Sequence, residues 1–99
     1  MDKTDLPVWV NSSQLKLKAI SDETRRVILG LLEADGPQFQ IELAKKLKIS
    51  ASLATYHLNL LVRASLVKRE YTERRTGGFS KYTITQEGSN FLDSLGIRQ

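Results

Sequence analysis

Apolar residues recur every three or four positions through the first two thirds of the chain. This period is typical of amphipathic helices. It predicts a short first helix from about residue 15, a second from residue 21, a third of about two turns over 41–47 and a fourth over about 51–64.

The predicted helix ends carry suitable capping residues. Residues 21–24, Ser-Asp-Glu-Thr, offer capping oxygens and two acids for the positive end of the second helix dipole. Gly36 and Pro37 should end that helix. Ser50 is well placed to cap the fourth helix.

The period changes to two beyond residue 64. Residues 67–72 and 79–84 are rich in Tyr, Thr and Val and predict two strands. Gly77-Gly78 predicts the tip of the hairpin between them. Residues 38–40 are a short link that is open to pairing with this sheet, and Thr85 should cap a last helix that ends near Gly96.

This order of elements predicts a mainly α fold with a small antiparallel β-hairpin. We interpret it as a winged helix-turn-helix of about five helices and a two- to three-stranded wing sheet. A chain of 99 residues suits one domain. Its expected parts are a lead-in segment at 1–10, the helix-turn-helix at 38–64, the wing at 67–84 and a C-terminal helix at 85–96.

The fourth helix has two unlike faces when its residues are placed 100° apart. One face is mostly apolar and holds Ala54, His57, Leu58 and Leu61. The opposite stripe holds Ser52, Thr55, Tyr56, Asn59 and Arg63. Short hydroxyl and amide side chains allow a helix to approach base edges in the major groove, although a solvated face poor in charge remains the alternative. His57 is expected to be a hydrogen-bonded core residue, with a protonation switch left open.

The charge of the chain is mildly basic, at +4, which permits nucleic-acid binding. Residues 68–81 hold five basic and two acidic side chains. The expected wing contacts are Arg74, Arg75 and Lys81, and the expected contacts of the third helix with phosphates are Lys45, Lys46 and Lys48. For each group, an ordinary solvated surface is the alternative.

Other functional classes find little support in the sequence. The chain has no cysteine and one histidine, so we expect no metal site and no cofactor. It contains no glycine-rich phosphate loop, and we expect no enzyme activity. It also lacks a signal-peptide pattern and the roughly 18 apolar residues of a membrane span, so a cytoplasmic location is expected.

Three segments resemble the ArsR-type winged-helix regulators. They are LKISASLATYHLNLL at 47–61, SDETRRVI at 21–28 and YTITQEG at 82–88, the last of which is also similar to MarR-type proteins. The resemblance covers roughly residues 15–95. It implies a homodimer that binds double-stranded DNA at a near-palindromic operator, usually as a repressor.

The resemblance also implies residue roles. Arg74 and Arg75 would contact DNA from the wing. The residues facing the major groove would be Ser50, Ala51, Ser52, Thr55, Tyr56 and Asn59. Glu42 and Leu43 stand where metal-sensing members carry cysteines, so metal sensing is not expected. Ser65 occupies the usual glycine position after the recognition helix, and the left-handed conformation strains serine mildly, so we expect this helix to end differently.

Two further questions stay open at this stage. Apolar residues near the two ends predict a dimer interface, with packing inside one chain as the alternative. They are Trp9, Val10, Phe91, Leu92 and Leu95. The alternatives to a sequence-specific regulator are a winged-helix protein-interaction module and a non-specific nucleic-acid-binding protein.

Overall fold

The computed structural model describes residues 17–74 and 77–96. Residues 17–20 are helical and belong to α1. The other elements, in chain order, are α2 (Glu23–Asp35), β1 (Gln38–Phe39), α3 (Gln40–Leu47), α4 (Ala51–Arg63), β2 (Val67–Arg74), β3 (Gly77–Ile84) and α5 (Gln86–Leu95). The described residues therefore confirm a mainly α fold with five helices and a three-stranded antiparallel sheet.

Three helices, α2, α4 and α5, begin at capping residues in the segments where the sequence predicted caps. The Asp22 carboxylate accepts a hydrogen bond from the Thr24 backbone N–H at 2.7 Å. The Ser50 hydroxyl accepts from the N–H of Leu53 at 3.0 Å, and the Thr85 hydroxyl accepts from the N–H of Gly88 at 2.9 Å. Each bond satisfies a backbone donor that has no partner inside its helix.

Two arginines of α2 bond to the last carbonyls of α1. Arg25 Nε donates to the Ala19 carbonyl at 2.6 Å, and Arg26 Nη1 donates to the Ile20 carbonyl at 2.8 Å. The final carbonyls of a helix lack internal partners and carry its negative dipole end, so guanidinium groups stabilise them.

The sheet has the strand order β1-β3-β2, with both pairings antiparallel. The short link at 38–40 thus supplies a real strand, since Gln38 pairs with Tyr82. The strands of the hairpin are longer than predicted. Gly77 pairs with Arg74 and Gly78 pairs with Glu73, so both glycines lie within β3. The prediction that Gly77-Gly78 forms the tip is therefore wrong.

The core lies between the helices and the base of the sheet. Its fully buried side chains are Ile28, Leu29, Leu32, Leu43, Leu58, Leu61, Leu66, Val67 and Tyr82. Gly88 brings α5 close to this layer. A Cβ at that position would clash with the Leu66 carbonyl and lie 2.8 Å from Ile84 Cγ1.

Two non-glycine residues adopt left-handed backbone conformations next to α4. Lys48, with φ of 58°, ends α3, and its left-handed turn gives the sharp connection to α4. Ser65 has a φ of 65° and follows α4. The expectation that serine would change this ending is therefore wrong. The Leu66 N–H bonds to the Leu61 carbonyl at 3.0 Å and satisfies an end carbonyl, as a glycine-terminated helix would.

Candidate nucleic-acid interface

The α4 helix presents the two faces that its sequence predicts. Ala54, His57, Leu58 and Leu61 are buried. On the other side, Ser52, Tyr56, Asn59 and Arg63 are exposed, whereas Thr55 is half-buried. Tyr56 exposes 57% of its surface, which is unusual for a large aromatic residue in a packed domain. The exposed face of α4 therefore offers hydroxyl and amide groups to a partner.

The beginning of α4 is held firmly. Ser50 is exposed, but its hydroxyl is bonded to the backbone of Leu53, and Ala51 is half-buried. Gln40 Nε2 donates to the Ala51 carbonyl at 3.1 Å, across the turn between the two helices. Sequence patterns did not point to Gln40, because its link to Ala51 joins residues eleven positions apart.

One apolar residue lies beside the polar stripe. Leu53 exposes 42% of its surface on the first turns of α4. Such a side chain can pack against the methyl group of thymine. Helical spacing did not single it out, because Leu53 lies at the edge of the stripe and not at its centre.

The three lysines near the turn are not equivalent. All three are exposed. Lys46, however, bonds to two groups of its own chain, the Asp35 carboxylate at 3.1 Å and the Gln38 side-chain oxygen at 2.9 Å. The positive charge of Lys46 is therefore partly offset within the protein.

The basic residues of the wing lie at different distances along the hairpin from its base. Lys81 is half-buried near the base, and its Nζ lies 5.4 Å from the centre of the Phe39 ring. Lys68, also near the base, forms an exposed ion pair of 3.2 Å with Glu70. Arg74 is the last residue of β2, and Arg75 lies outside the described residues.

The predicted dimer residues separate into two groups. Leu92 is only 2% exposed and belongs to the core of the single chain, so its assignment to a dimer interface is not retained. Phe91 is half-buried and packs against the same core. Trp9, Val10 and the Leu95 side chain lie outside the described part of the structure.

His57 is the hydrogen-bonded core residue that was expected. It is 6% exposed, and its Nδ1 lies 2.9 Å from Arg25 Nη1. Burial is the main factor that lowers the His57 pKa; the Arg25 charge adds to the effect, while the Asp22 charge opposes it. Arg25, itself 7% exposed, was not expected to be buried, since an isolated arginine on a helix normally faces water.

Neither a metal centre nor a membrane helix is found in the described residues. Within 17–74 and 77–96, no group of three or more His, Cys, Asp or Glu side chains could hold a metal ion. No helix in the same ranges has the length and apolar character that crossing a membrane requires.

Comparison with known sequences gives consistent matches. Residues 20–70 match a family model described as a helix-turn-helix domain. The chain is 35% identical over 79 residues to the transcriptional repressor SdpR of Bacillus subtilis, and the match covers 76% of this chain and 82% of that protein.

Solved structures share the fold over most of the chain. HlyU from Vibrio cholerae superposes with a TM-score of 0.70 at 29% identity, covering 85% of this chain and 87% of HlyU. A MarR-family regulator from Enterococcus faecalis gives a TM-score of 0.72 at 26% identity, covering 98% of this chain and 84% of the other. Both comparisons cover more of this chain than residues 20–70, the part that the helix-turn-helix model matches.

Proposed function

We propose that this chain, which belongs to the ArsR-type winged helix-turn-helix transcription regulators, reads an operator half-site with α4 and grips the flanking backbone with its wing. That it is a DNA-binding transcription regulator follows from its family and fold. The assignment of individual residues is our proposal. The observation that carries it is the exposed face of α4, which is rich in hydroxyl and amide groups and backed by a fully packed apolar face.

In this proposal the short side chains of α4 contact base edges. Asn59 pairs with an adenine through its amide, and Tyr56 contacts a base or a phosphate. Ser52 and Thr55 add hydroxyl contacts on the same face, and Leu53 meets a thymine methyl. Ser50, Ala51 and Arg63 flank this set at the two ends of the helix.

The basic residues position the protein and do not read sequence. Lys45 and Lys48 are exposed near the turn and suit phosphate contacts. Lys46 makes the weaker contribution because Asp35 already partners it. Arg74 and Arg75 bind the backbone or enter the minor groove from the wing, and Lys81 supports them from its base.

We further propose a homodimer that acts in the cytoplasm by binding, without catalysis. The two-fold axis lies near the chain ends, where Trp9, Val10, Phe91 and Leu95 supply apolar surface. By similarity to SdpR, a transcriptional repressor, the dimer lowers transcription by occupying its operator.

Selection from random duplex DNA at about 150 mM salt tests this function, because non-specific binding is weak under those conditions. A dimer that reads bases should enrich a pseudo-palindrome whose half-sites lie about one helical turn apart. Enrichment of no motif, with only weak and salt-sensitive binding, would contradict sequence reading by α4.

A further inference from the structure

A buried guanidinium joins three elements behind the exposed face of α4. Arg25, on α2, donates from Nε to the Ala19 carbonyl at 2.6 Å and from Nη2 to the Lys18 carbonyl at 3.5 Å. Its Nη1 lies 2.9 Å from His57 Nδ1 on α4. One side chain thus ties the end of α1 to the middle of α4.

The chemistry of this contact fixes the protonation state of His57. A guanidinium carries only donors and stays protonated at every relevant pH. His57 Nδ1 must therefore accept through its lone pair. The imidazole in this structure is consequently neutral, with its proton on Nε2.

His57 is also in contact with the exposed face. The Tyr56 and His57 rings lie edge to face, with centroids 5.3 Å apart and planes at 65°. Tyr56 is exposed and belongs to the face that we assign to DNA. A change at the buried imidazole therefore acts directly on a side chain that would contact the operator.

We propose that Arg25 and His57 form a positioning pair that holds α4 in its DNA-reading orientation, and that protonation of His57 releases this pair and weakens sequence-specific binding. The proposal rests on the proposed reading role of α4. Protonated His57 would place an N–H donor against the N–H of Arg25 and two positive charges about 3 Å apart, so the contact seen here would not survive.

Burial and the surrounding charges determine the pH range in which His57 is protonated, and this range lies on the acid side of neutrality. Among the described residues, the charges that act on His57 are those of Asp22 and Arg25, both at the start of α2. Burial lowers the His57 pKa from the ordinary value of 6.5, the Asp22 carboxylate opposes this and the Arg25 guanidinium reinforces it. The pKa of Asp22 lies below its ordinary value of 3.8, so Asp22 stays ionised over this pH range. Burial raises the Asp22 pKa, but hydrogen bonds from the Thr24 and Arg25 backbones and the nearby positive charges lower it by more.

We expect the stability of the fold to decrease in the same direction, as pH falls. Because the folded pKa lies below the unfolded value, the unfolded chain takes up the proton first as pH falls. The contribution of neutral His57 is therefore fully present above pH 6.5 and is lost as pH falls towards the folded pKa. Urea unfolding over this range should show lower stability at the acid end.

The test follows one histidine through its titration, since the chain has only His57. NMR of the imidazole in the intact protein gives its pKa. Affinities for a selected duplex and a random duplex are then measured from about pH 7.5 to about pH 5, the range that spans the titration of histidine. We expect the ratio of the two affinities to fall as the NMR titration proceeds, by up to about tenfold for each pH unit below the midpoint of that titration.

Two substitutions separate positioning from folding. His57→Asn keeps a side-chain oxygen near the Nδ1 position but does not titrate, so its affinity ratio should be independent of pH. Arg25→Lys keeps the charge, but a single Nζ cannot reach the three acceptors that Arg25 contacts from Nε, Nη1 and Nη2, so the ratio should fall at every pH. Arg26→Lys is the matched control, because Arg26 bonds to the end of α1 and is not bonded to His57.

Each outcome decides between the proposals. A constant ratio across the His57 titration in the unmodified protein, or the same pH dependence in His57→Asn as in the unmodified protein, would overturn release by protonation. The unmodified protein gives this answer even if a variant fails to fold. An Arg25→Lys ratio equal to that of Arg26→Lys would overturn the positioning role. Failure to select any duplex at about pH 7.5 would instead overturn the reading role of α4, and the pair would fall with it.

Discussion

The α4 helix and the wing differ in how their polar groups are supported. One face of α4 is buried along its length, and the helix carries a single formal charge, Arg63. In the described part of the hairpin, exposure increases away from the base: Val67 is 2% exposed, whereas Tyr71, four residues along β2, is 65% exposed. The segment 68–81 nevertheless holds five basic residues.

This difference matches two physical requirements. A hydrogen bond to a base edge needs its donor and acceptor about 2.7–3.2 Å apart and well aligned, so the side chains that make it need a fixed helix. Attraction to phosphate falls off slowly with distance, so a cation near the end of a hairpin needs only to be close. This difference supports our proposal that α4 reads base edges and that the wing binds the phosphate backbone.

Removal of a core side chain under α4 should have the largest effect. Leu58 is fully buried, and Leu58→Ala should lower the free energy of unfolding by about 2–5 kcal/mol. Urea denaturation measures this loss. Leu53→Ala on the same helix is the control, since a leucine that is 42% exposed should cost much less. Equal losses would contradict the division of α4 into a buried and an exposed face.

Removal of a reading group should affect specificity without affecting general affinity. Asn59→Ala should cost about 1–3 kcal/mol of discrimination between the selected duplex and a random one. Fluorescence anisotropy on both duplexes measures it. Asn90→Ala, which removes an amide from α5, should leave the discrimination unchanged. Equal weakening on both duplexes by Asn59→Ala would place Asn59 outside the base contacts.

Removal of wing charges should lower general affinity without lowering specificity. Arg74→Ala combined with Arg75→Ala should weaken binding to all duplexes alike. The dependence of affinity on the logarithm of salt concentration should become less steep by about 0.9 for each phosphate that the wing no longer neutralises. Affinity measured over a salt series tests this. Lys18→Ala removes a positive charge on α1 and serves as the control; a similar change in that variant would show that only net charge matters.

The smallest effect is expected at the junction between the two regions. Ser65 lies between α4 and β2 with a φ of 65°, a conformation that strains an ordinary side chain. The left-handed conformation costs a non-glycine residue about 1–2 kcal/mol, and the greater backbone entropy of glycine offsets about 0.5–1 kcal/mol of this. Ser65→Gly should therefore raise the free energy of unfolding by about 0.5–1 kcal/mol and leave DNA binding intact. Ser94→Gly, within helix α5, should have the opposite sign. Destabilisation by Ser65→Gly would show that the serine side chain has a stabilising role of its own.

The sequence alone predicted most of the local structure. Ser50 and Thr85 were identified as caps, and residues 21–24 as a helix start, because capping depends on a side chain and the backbone two or three residues away. The two faces of α4 were equally predictable, since helical geometry fixes which residues share a side. The same reasoning located the exposed candidates Ser52, Tyr56 and Asn59.

Only the tertiary structure decided the features that join distant parts of the chain. In the register of the hairpin, Val67 pairs with Ile84 at the base. The same register places Gly77 and Gly78 within β3. Leu92, which was expected at a dimer interface, is buried in the core of the single chain. Lys46, which was expected to contact phosphate, bonds to Asp35 and Gln38. Arg25 is hydrogen-bonded to His57, which lies 32 residues away in the sequence. No periodicity reports such a contact, because local patterns specify which face of a helix is polar but not which side chain from another element will bond to it.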